Sequence, residues 1–143
     1  MRLDAYDKKL SSYLLRIGVE HDVNMSDKAL TFDVETPQGT WHCSILVDNN
    51  LPSQRGMGFY STLPAKVPTD LLNHMALFLM CLNNDRLFGN FELDPETGDL
   101  HFKTYIDFEN RAFSEKAVER NMLINISIMQ KHMPRLMRMI NCA

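Results

Sequence analysis

The sequence predicts one α+β domain in which an antiparallel sheet packs against helices. Segments with apolar residues three or four positions apart, typical of helices, alternate along the chain with segments of period two, typical of half-buried strands. Short turns rich in proline, glycine and asparagine join neighbouring strands, which favours antiparallel hairpins. Of the 143 residues, 45% are hydrophobic and 23% are charged, so residues 1–143 suit a single domain with its own core.

A helix and a strand come first. Apolar residues on one helical face predict a helix over residues 3–17, and Gly18 is a suitable C-terminal stop. From residue 29 to residue 35 the apolar period changes to two, which predicts a half-buried strand. Residues 36–39, Thr-Pro-Gln-Gly, have the composition of a tight turn, so a hairpin follows.

The second strand of this hairpin carries the single tryptophan. Its apolar residues alternate along one face: Trp41, Cys43, Ile45 and Val47. We expect Trp41 to lie in the core and His42 to lie on the outward face. Residues 48–53 have the composition of a loop, and residues 57–63 predict a third strand.

The middle of the chain predicts a second helix that is mostly buried. Pro68 is suited to its first turn, and Asn83 and Asn84 mark its end. A second hairpin follows, with strands at residues 88–94 and 100–106 around a Pro-Glu-Thr-Gly turn. The expected cross-strand pairs are Leu93 with Leu100 and Phe91 with Phe102.

The last predicted element is a helix that begins after Ser114, a suitable N-cap, and runs to the end of the chain. Pro134 should kink or restart it. The predicted order is therefore α-β-β-β-α-β-β-α. Three basic residues, Lys131, Arg135 and Arg138, are the only charged residues after Arg120, and they suit a helix C-terminus.

No pattern of catalytic, metal-binding or nucleotide-binding residues is evident. The five histidines lie on separate segments without ligand spacing, and no nucleophile motif occurs. Gly56 and Gly58 lack the context of a phosphate loop and instead suggest a bulge or a close backbone approach. Acidic residues around residues 94–99 are typical of a turn. We therefore expect no enzyme activity, no catalytic residues, no metal and no cofactor.

Charge and cysteine content limit the partners and the compartment. A net charge of −3 gives no general attraction to nucleic acid. The three cysteines, Cys43, Cys81 and Cys142, are too far apart in sequence to suggest a disulfide framework. The start of the chain lacks a signal-peptide pattern, and no apolar segment is long enough to span a bilayer. These features predict a cytoplasmic protein that binds neither membrane nor nucleic acid.

Methionine is abundant, with ten residues, many of them in the last helix. Flexible methionines suit surfaces that repack against variable partners, but they also fill irregular cores. The sequence favours the core interpretation and leaves the interface open.

One stretch is specific enough to suggest a family. The middle helix ends in asparagine, and residues 89–103 then read GNFELDPETGDLHFK. This pattern resembles the YbjN-domain family, whose fold is like that of type III secretion chaperones, and the predicted element order agrees along nearly the whole chain. Pro134 also resembles the family pattern. The resemblance implies no catalytic residues. Chaperones with this fold are small, acidic and usually dimeric, and they hold partly unfolded client segments, whereas YbjN-domain proteins are described as regulators of sensory transduction.

These observations together predict a non-enzymatic protein-binding module, chaperone-like or regulatory, that forms a homodimer and binds a protein partner. The alternative is a carrier of a small apolar ligand, with a pocket between the sheet and the C-terminal helix.

We expect the homodimer contact on the middle helix and the strand after it. The apolar residues of that helix form two rows: Leu72, Met75, Leu79 and Leu82 in one, and Leu71, His74, Phe78 and Cys81 in the other. A sheet covers about one row, so the second row meets the C-terminal helix or stays exposed. Leu87 and Phe88, expected at the start of an edge strand, extend the apolar surface. The predicted self-association residues are Leu71, Phe78, Leu87 and Phe88.

Overall fold

The computed structural model describes residues 5–24, 29–51, 54–108 and 111–142. It confirms the α+β class and the predicted order of elements, with one short strand added. The helices are α1 (Ala5–Arg16), α2 (Leu72–Asn84) and α3 (Glu115–Asn141), and a short 3-10 turn at Thr69–Leu71 leads into α2. The strands are β1 (Asp22–Asn24), β2 (Ala29–Thr36), β3 (Gly39–Leu51), β4 (Gln54–Thr62), β5 (Asn90–Leu93) and β6 (Leu100–Asp107).

All six strands form one antiparallel sheet in the order β1-β2-β3-β4-β6-β5. The short strands β1 and β5 therefore lie at its two edges. In the second hairpin Leu93 pairs with Leu100 and Phe91 pairs with Phe102, as the alternation predicts. The register was predictable because one face of each strand is apolar, and a slip of one residue would turn that face to water.

One face of the sheet forms the core with the helices. Trp41 is 2% exposed and lies there with Cys43, Ile45 and Val47, which confirms the predicted inward face of β3. Leu10 and Leu14 of α1 and Met129 and Leu136 of α3 are fully buried in the same cluster. His42 lies on the outward face, as expected, 2.9 Å from the Asp33 carboxylate.

The predicted helix caps are present. Gly18 has a positive φ of 81°, and Val19 donates its N–H to the Leu14 carbonyl, the bond that closes a glycine-terminated helix. Ser114 accepts the N–H of Ala117 at the start of α3.

Two strand boundaries differ from the prediction. Residues 48–51, expected in a loop, continue β3 and pair with β4 through an irregular register between Asp48 and Leu51. Backbone pairing across the hairpin therefore overrides the local turn composition; residues 52 and 53 of the predicted loop lie outside the described residues. Strand β1 was not predicted because it has three residues, all of them exposed, which are too few to show a period.

Proline does not interrupt the last helix. The prediction that Pro134 restarts it is wrong, because α3 is one helix of 27 residues with Pro134 inside it. Proline removes one backbone hydrogen bond. The buried residues Met133 and Leu136 on either side hold the helix on the sheet.

Gly56 and Gly58 lie in β4, and they serve a close approach rather than a phosphate. The phenol ring of Tyr105 lies over Gly56, in the space that a Cβ atom would occupy, and the Tyr60 ring lies over Gly58. The close approach is thus made by aromatic side chains, from β6 at Gly56 and from β4 itself at Gly58, and not by backbone as expected.

Candidate interaction site

Helix α2 exposes apolar side chains beside its polar ones. None of the residues Leu72–Asn84 is charged. Met75 and Leu79 are buried, while Leu77 is 62% exposed and Met80 is 68% exposed. The expectation that this helix is mostly buried is therefore wrong. It lies at the edge of the sheet, beside the short strand β5, so only one side of it has a core to face.

The apolar surface continues past the end of α2. Leu87 is fully exposed and Phe88 is 41% exposed. Both residues precede β5, which begins at Asn90, so the expectation that they start the strand is wrong. Gly89, with φ at 75°, separates them from it. We define the α2 surface as the exposed residues of this region: Leu77, Met80, Cys81, Leu87 and Phe88.

The four predicted self-association residues divide into two pairs. Leu87 and Phe88 belong to the α2 surface, whereas Leu71 and Phe78 are half-buried against the core. The guanidinium of Arg135 on α3 lies 4.7 Å from the centre of the Phe78 ring, so this residue meets the C-terminal helix, one of the two expected outcomes. Leu77 and Met80 were missed, although their spacing of three would have placed them on one helical face.

Strand β5 lies at the edge beside this surface, and a side chain of α2 forms hydrogen bonds with its backbone. The Asn83 amide donates to the Phe91 carbonyl at 3.0 Å, and its oxygen accepts the Phe91 N–H at 2.7 Å. Both backbone groups of Phe91 are therefore satisfied by a side chain. A second chain cannot add a strand at this position without displacing Asn83.

A groove lies between β6 and α3, and Phe88 forms part of its lining. Strand β5 pairs with β6 only as far as Lys103, so no described strand covers Thr104 to Asp107 on that edge. The groove has a volume of about 730 Å³. Its apolar lining includes Phe88, Ile106, Ala117, Ile124 and Ile128. This space lies between the sheet and the C-terminal helix, where a carrier's pocket was expected.

One end of the groove is charged. Asn121 of α3 lies 3.5 Å from the Tyr105 carbonyl, and Asn125, one turn later, donates to the Phe102 carbonyl, so α3 and β6 run in opposite directions. Ile124 and Ile128 therefore lie toward the Phe102 end of β6. Toward the opposite end lie the charged residues Asp107, Arg111 and Arg120.

A buried polar cluster fixes α3 against the sheet beside this groove. Trp41 donates its Nε1–H to Ser61 Oγ at 3.0 Å, and Ser61 donates to Asn125 Oδ1 at 2.6 Å. Asn125 Nδ2 donates to the carbonyls of Phe59 at 2.9 Å and Phe102 at 3.0 Å. Cys43 lies beside Ser61, and burial raises the pKa of its thiol to about 11. A thiol with so high a pKa is a poor nucleophile at neutral pH, so this cluster is suited to packing.

A second polar contact joins α3 to the segment before β5. An Arg86 guanidinium nitrogen lies 2.7 Å from His132 Nε2, and Arg86 also lies over the rings of Phe91 and Phe102. Burial lowers the pKa of His132, and the positive charge of Arg86 lowers it further. Neutral His132 can accept a hydrogen bond from an Arg86 N–H. This explains how two basic side chains can lie in contact.

Within the described residues, no three His, Cys, Asp or Glu side chains come together to hold a metal ion. Asp94 accepts the backbone N–H groups of Glu96 and Thr97, which is the turn role expected of it. No helix in the described part of the chain is long and apolar enough to cross a membrane.

Comparison with known proteins identifies the fold. No family model and no curated protein sequence matches this chain. A solved structure of YbjN from E. coli, described as a candidate transcription regulator, superposes with a TM-score of 0.64 at 14% sequence identity. The match covers 92% of this chain and 93% of YbjN. The chain therefore has a YbjN-like fold.

Proposed function

We propose that this protein is a non-enzymatic, regulatory protein-binding module that pairs with a second copy through the α2 surface. The observation that carries the proposal is the exposed apolar surface formed by α2, Leu87 and Phe88. Several exposed leucine, methionine and phenylalanine side chains within one short segment of the chain favour a contact with protein. The regulatory part is supported by the similarity to YbjN, which is described as a candidate transcription regulator.

A second copy is the occupant that the charge of this surface favours. A two-fold dimer places the same patch of each subunit against itself, so a patch that carries charges of one sign would repel its copy. Helix α2 carries no charged residue, whereas the whole chain carries a net charge of −3. The helix of the α2 surface therefore carries no charge that would repel its own copy.

We also propose membership of the YbjN-domain family and a cytoplasmic location. Membership is supported by the fold match together with the sequence pattern of residues 89–103. The location is supported by the three cysteines, which are all free thiols in the structure. A chaperone-like role remains a proposal of the same kind, since chaperones that resemble this fold bind client proteins as dimers.

Sedimentation equilibrium of matched variants tests the pairing. The wild type should dimerise in the micromolar range, and Leu77→Glu and Phe88→Glu should each weaken the dimer at least tenfold, because a carboxylate would be buried without a partner. Leu15→Glu is the control, since Leu15 is 63% exposed on α1 and outside this surface. A wild type that is monomeric at high micromolar concentration, or Glu variants that pair as well as the control, would contradict the proposal.

A cysteine provides an independent readout of the same contact. Cys81 lies exposed on the α2 surface, and Cys142 lies exposed at the end of α3. Dimer formation should slow the reaction of Cys81 with a thiol reagent as the protein concentration rises, and it should leave Cys142 unaffected. Equal reactivity of Cys81 at all concentrations would place the contact elsewhere.

Affinity purification from the native host, followed by identification of the bound proteins, then tests the regulatory part of the proposal.

A second candidate function, a small-ligand carrier, is favoured by the groove between β6 and α3. Its volume of about 730 Å³ lies within the range of ligand pockets. Native mass spectrometry of freshly purified protein separates the two candidates, because a bound small molecule supports the carrier and a bound polypeptide supports the module.

A further inference from the structure

The groove between β6 and α3 combines an apolar end, a cationic end and a buried amide, and each of these selects a different part of a ligand. Ile124 and Ile128 form the apolar end, while Arg120 brings a positive charge to the other end. We propose that this groove binds a small amphipathic acid with a hydrogen-bond donor close to its carboxylate. The inference rests on the carrier candidate and names its ligand class.

Asn121 is the observation that points to a ligand rather than to a bare surface cleft. Its side chain lines the groove and is 6% exposed, yet Oδ1 has no hydrogen-bond partner among the described residues. A buried amide oxygen without a partner costs roughly 1–3 kcal/mol, so such atoms are rare and call for a donor. The Nδ2 contact to the Tyr105 carbonyl, at 3.5 Å, is at the limit of a hydrogen bond, so the amide can turn toward an arriving donor.

Arg120 supplies the charge complement. It lies one residue before Asn121, and it forms no ion pair with any described residue. A guanidinium binds a carboxylate through two parallel hydrogen bonds. Because Arg120 and Asn121 both line the groove, a ligand whose carboxylate binds Arg120 can offer a neighbouring N–H or O–H to Asn121.

The apolar end of the groove determines the length and the hydrophobic character of the ligand's chain. From Ala117 to Ile128 the groove follows α3 for eleven residues, or about 16 Å at the rise of an α-helix. Ile124 and Ile128 lie one turn apart and provide a continuous aliphatic wall. The eight residues from Arg120 to Ile128 rise about 12 Å, so a flexible alkyl chain would fit with its acid at Arg120 and its far end at Ile128.

Three probes of similar size separate these requirements. N-octanoylglycine carries the alkyl body, the N–H donor and the carboxylate; decanoic acid lacks the donor, and N-octanoylglycinamide lacks the charge. Calorimetric titration of the full chain should give the tightest binding for N-octanoylglycine, with about tenfold weaker binding for each of the other two. In methyl NMR spectra the shifts caused by N-octanoylglycine should be largest at Ile124 and Ile128.

Two variants test which residues recognise the carboxylate and the hydrogen-bond donor of the ligand. Arg120→Gln should weaken N-octanoylglycine about tenfold and leave the glycinamide unchanged, because only the charge contact is lost. Asn121→Leu, of similar size, should abolish the preference for N-octanoylglycine over decanoic acid. Arg138→Gln, at the far end of the same helix, is the control and should bind as the wild type does.

The outcomes distinguish this inference from the carrier function beneath it. If the glycinamide binds as tightly as the acid, or Arg120→Gln binds N-octanoylglycine as the wild type does, the proposed acid class is wrong although the groove is a carrier site. If none of the three probes binds at millimolar concentration, both the acid class and the carrier function are overturned. Thermal unfolding of each variant checks that it is folded before it is titrated.

Discussion

The side-chain amide of Asn83 forms hydrogen bonds with both backbone groups of Phe91, and so ties the end of α2 to the edge strand β5. Asn83→Ala removes both bonds and leaves a buried strand residue with an unsatisfied N–H and C=O. We expect a loss of about 1–3 kcal/mol in the free energy of unfolding, measured by urea denaturation.

The neighbouring Asn84 is the matched control for this variant. It occupies the next position of α2 and is exposed. Asn84→Ala should change the stability by less than about 0.5 kcal/mol. Equal effects of the two substitutions would mean that the Asn83 contact does not stabilise the edge strand.

Local pattern predicted most of the sheet, because its strands are apolar on one face. Phe91 and Leu93 alternate on one side of the Pro-Glu-Thr-Gly turn and Phe102 and Leu100 on the other, so the register followed from burial alone. Strand β1 has no buried residue, and its pairing with β2 depends on a neighbour that local sequence does not reveal.

The candidate sites were less predictable, since each depends on distances between segments remote in sequence. The groove exists because β5 ends its pairing at Lys103 while β6 continues to Asp107, a mismatch of strand lengths that only the sheet displays. One signal was present in the sequence. Asn121 and Asn125, one turn apart, interrupt the apolar stripe of α3, and buried amides in such a stripe indicate a polar network.

Trp41 combines packing with a hydrogen bond, and the two can be measured separately. Trp41→Ala should cost about 3–5 kcal/mol, because it empties a fully packed site in the core. A midpoint of denaturation that barely moves would contradict the burial of this residue. Trp41→Phe keeps most of the ring and loses the Nε1–H bond to Ser61.

A double-mutant cycle isolates that bond. Combining Trp41→Phe with Ser61→Ala should give a coupling free energy of about 0.5–1.5 kcal/mol, the usual contribution of one hydrogen bond. The same cycle with Ser44→Ala, on the outward face of β3, should give none. Coupling of equal size with Ser44 would show that Trp41 and Ser61 do not interact specifically.

The three cysteines should differ in reactivity. Cys43 is buried and its thiol pKa is raised to about 11, whereas Cys81 and Cys142 are exposed. At pH 8 and low protein concentration, a thiol reagent should modify two residues per folded chain, and the third only after unfolding. Cys43→Ala should leave the count in the folded protein at two. Rapid modification of three thiols in the folded wild type would contradict the burial of Cys43.

The contact between Arg86 and His132 predicts how stability depends on pH. Because burial and Arg86 lower the pKa of His132, the folded protein binds fewer protons than the unfolded chain near that pKa. The stability that this contact contributes is present above the unfolded pKa of about 6.5 and is lost as the pH falls through the folded value. We therefore expect the wild type to lose more stability between about pH 7 and pH 5 than His132→Gln, which keeps an acceptor for Arg86 but cannot take up a proton.

Urea denaturation at each pH measures the difference, and His74→Gln, which removes an exposed histidine from α2, controls for the loss of an imidazole. If His132→Gln and His74→Gln follow the same pH profile, protonation of His132 does not oppose folding.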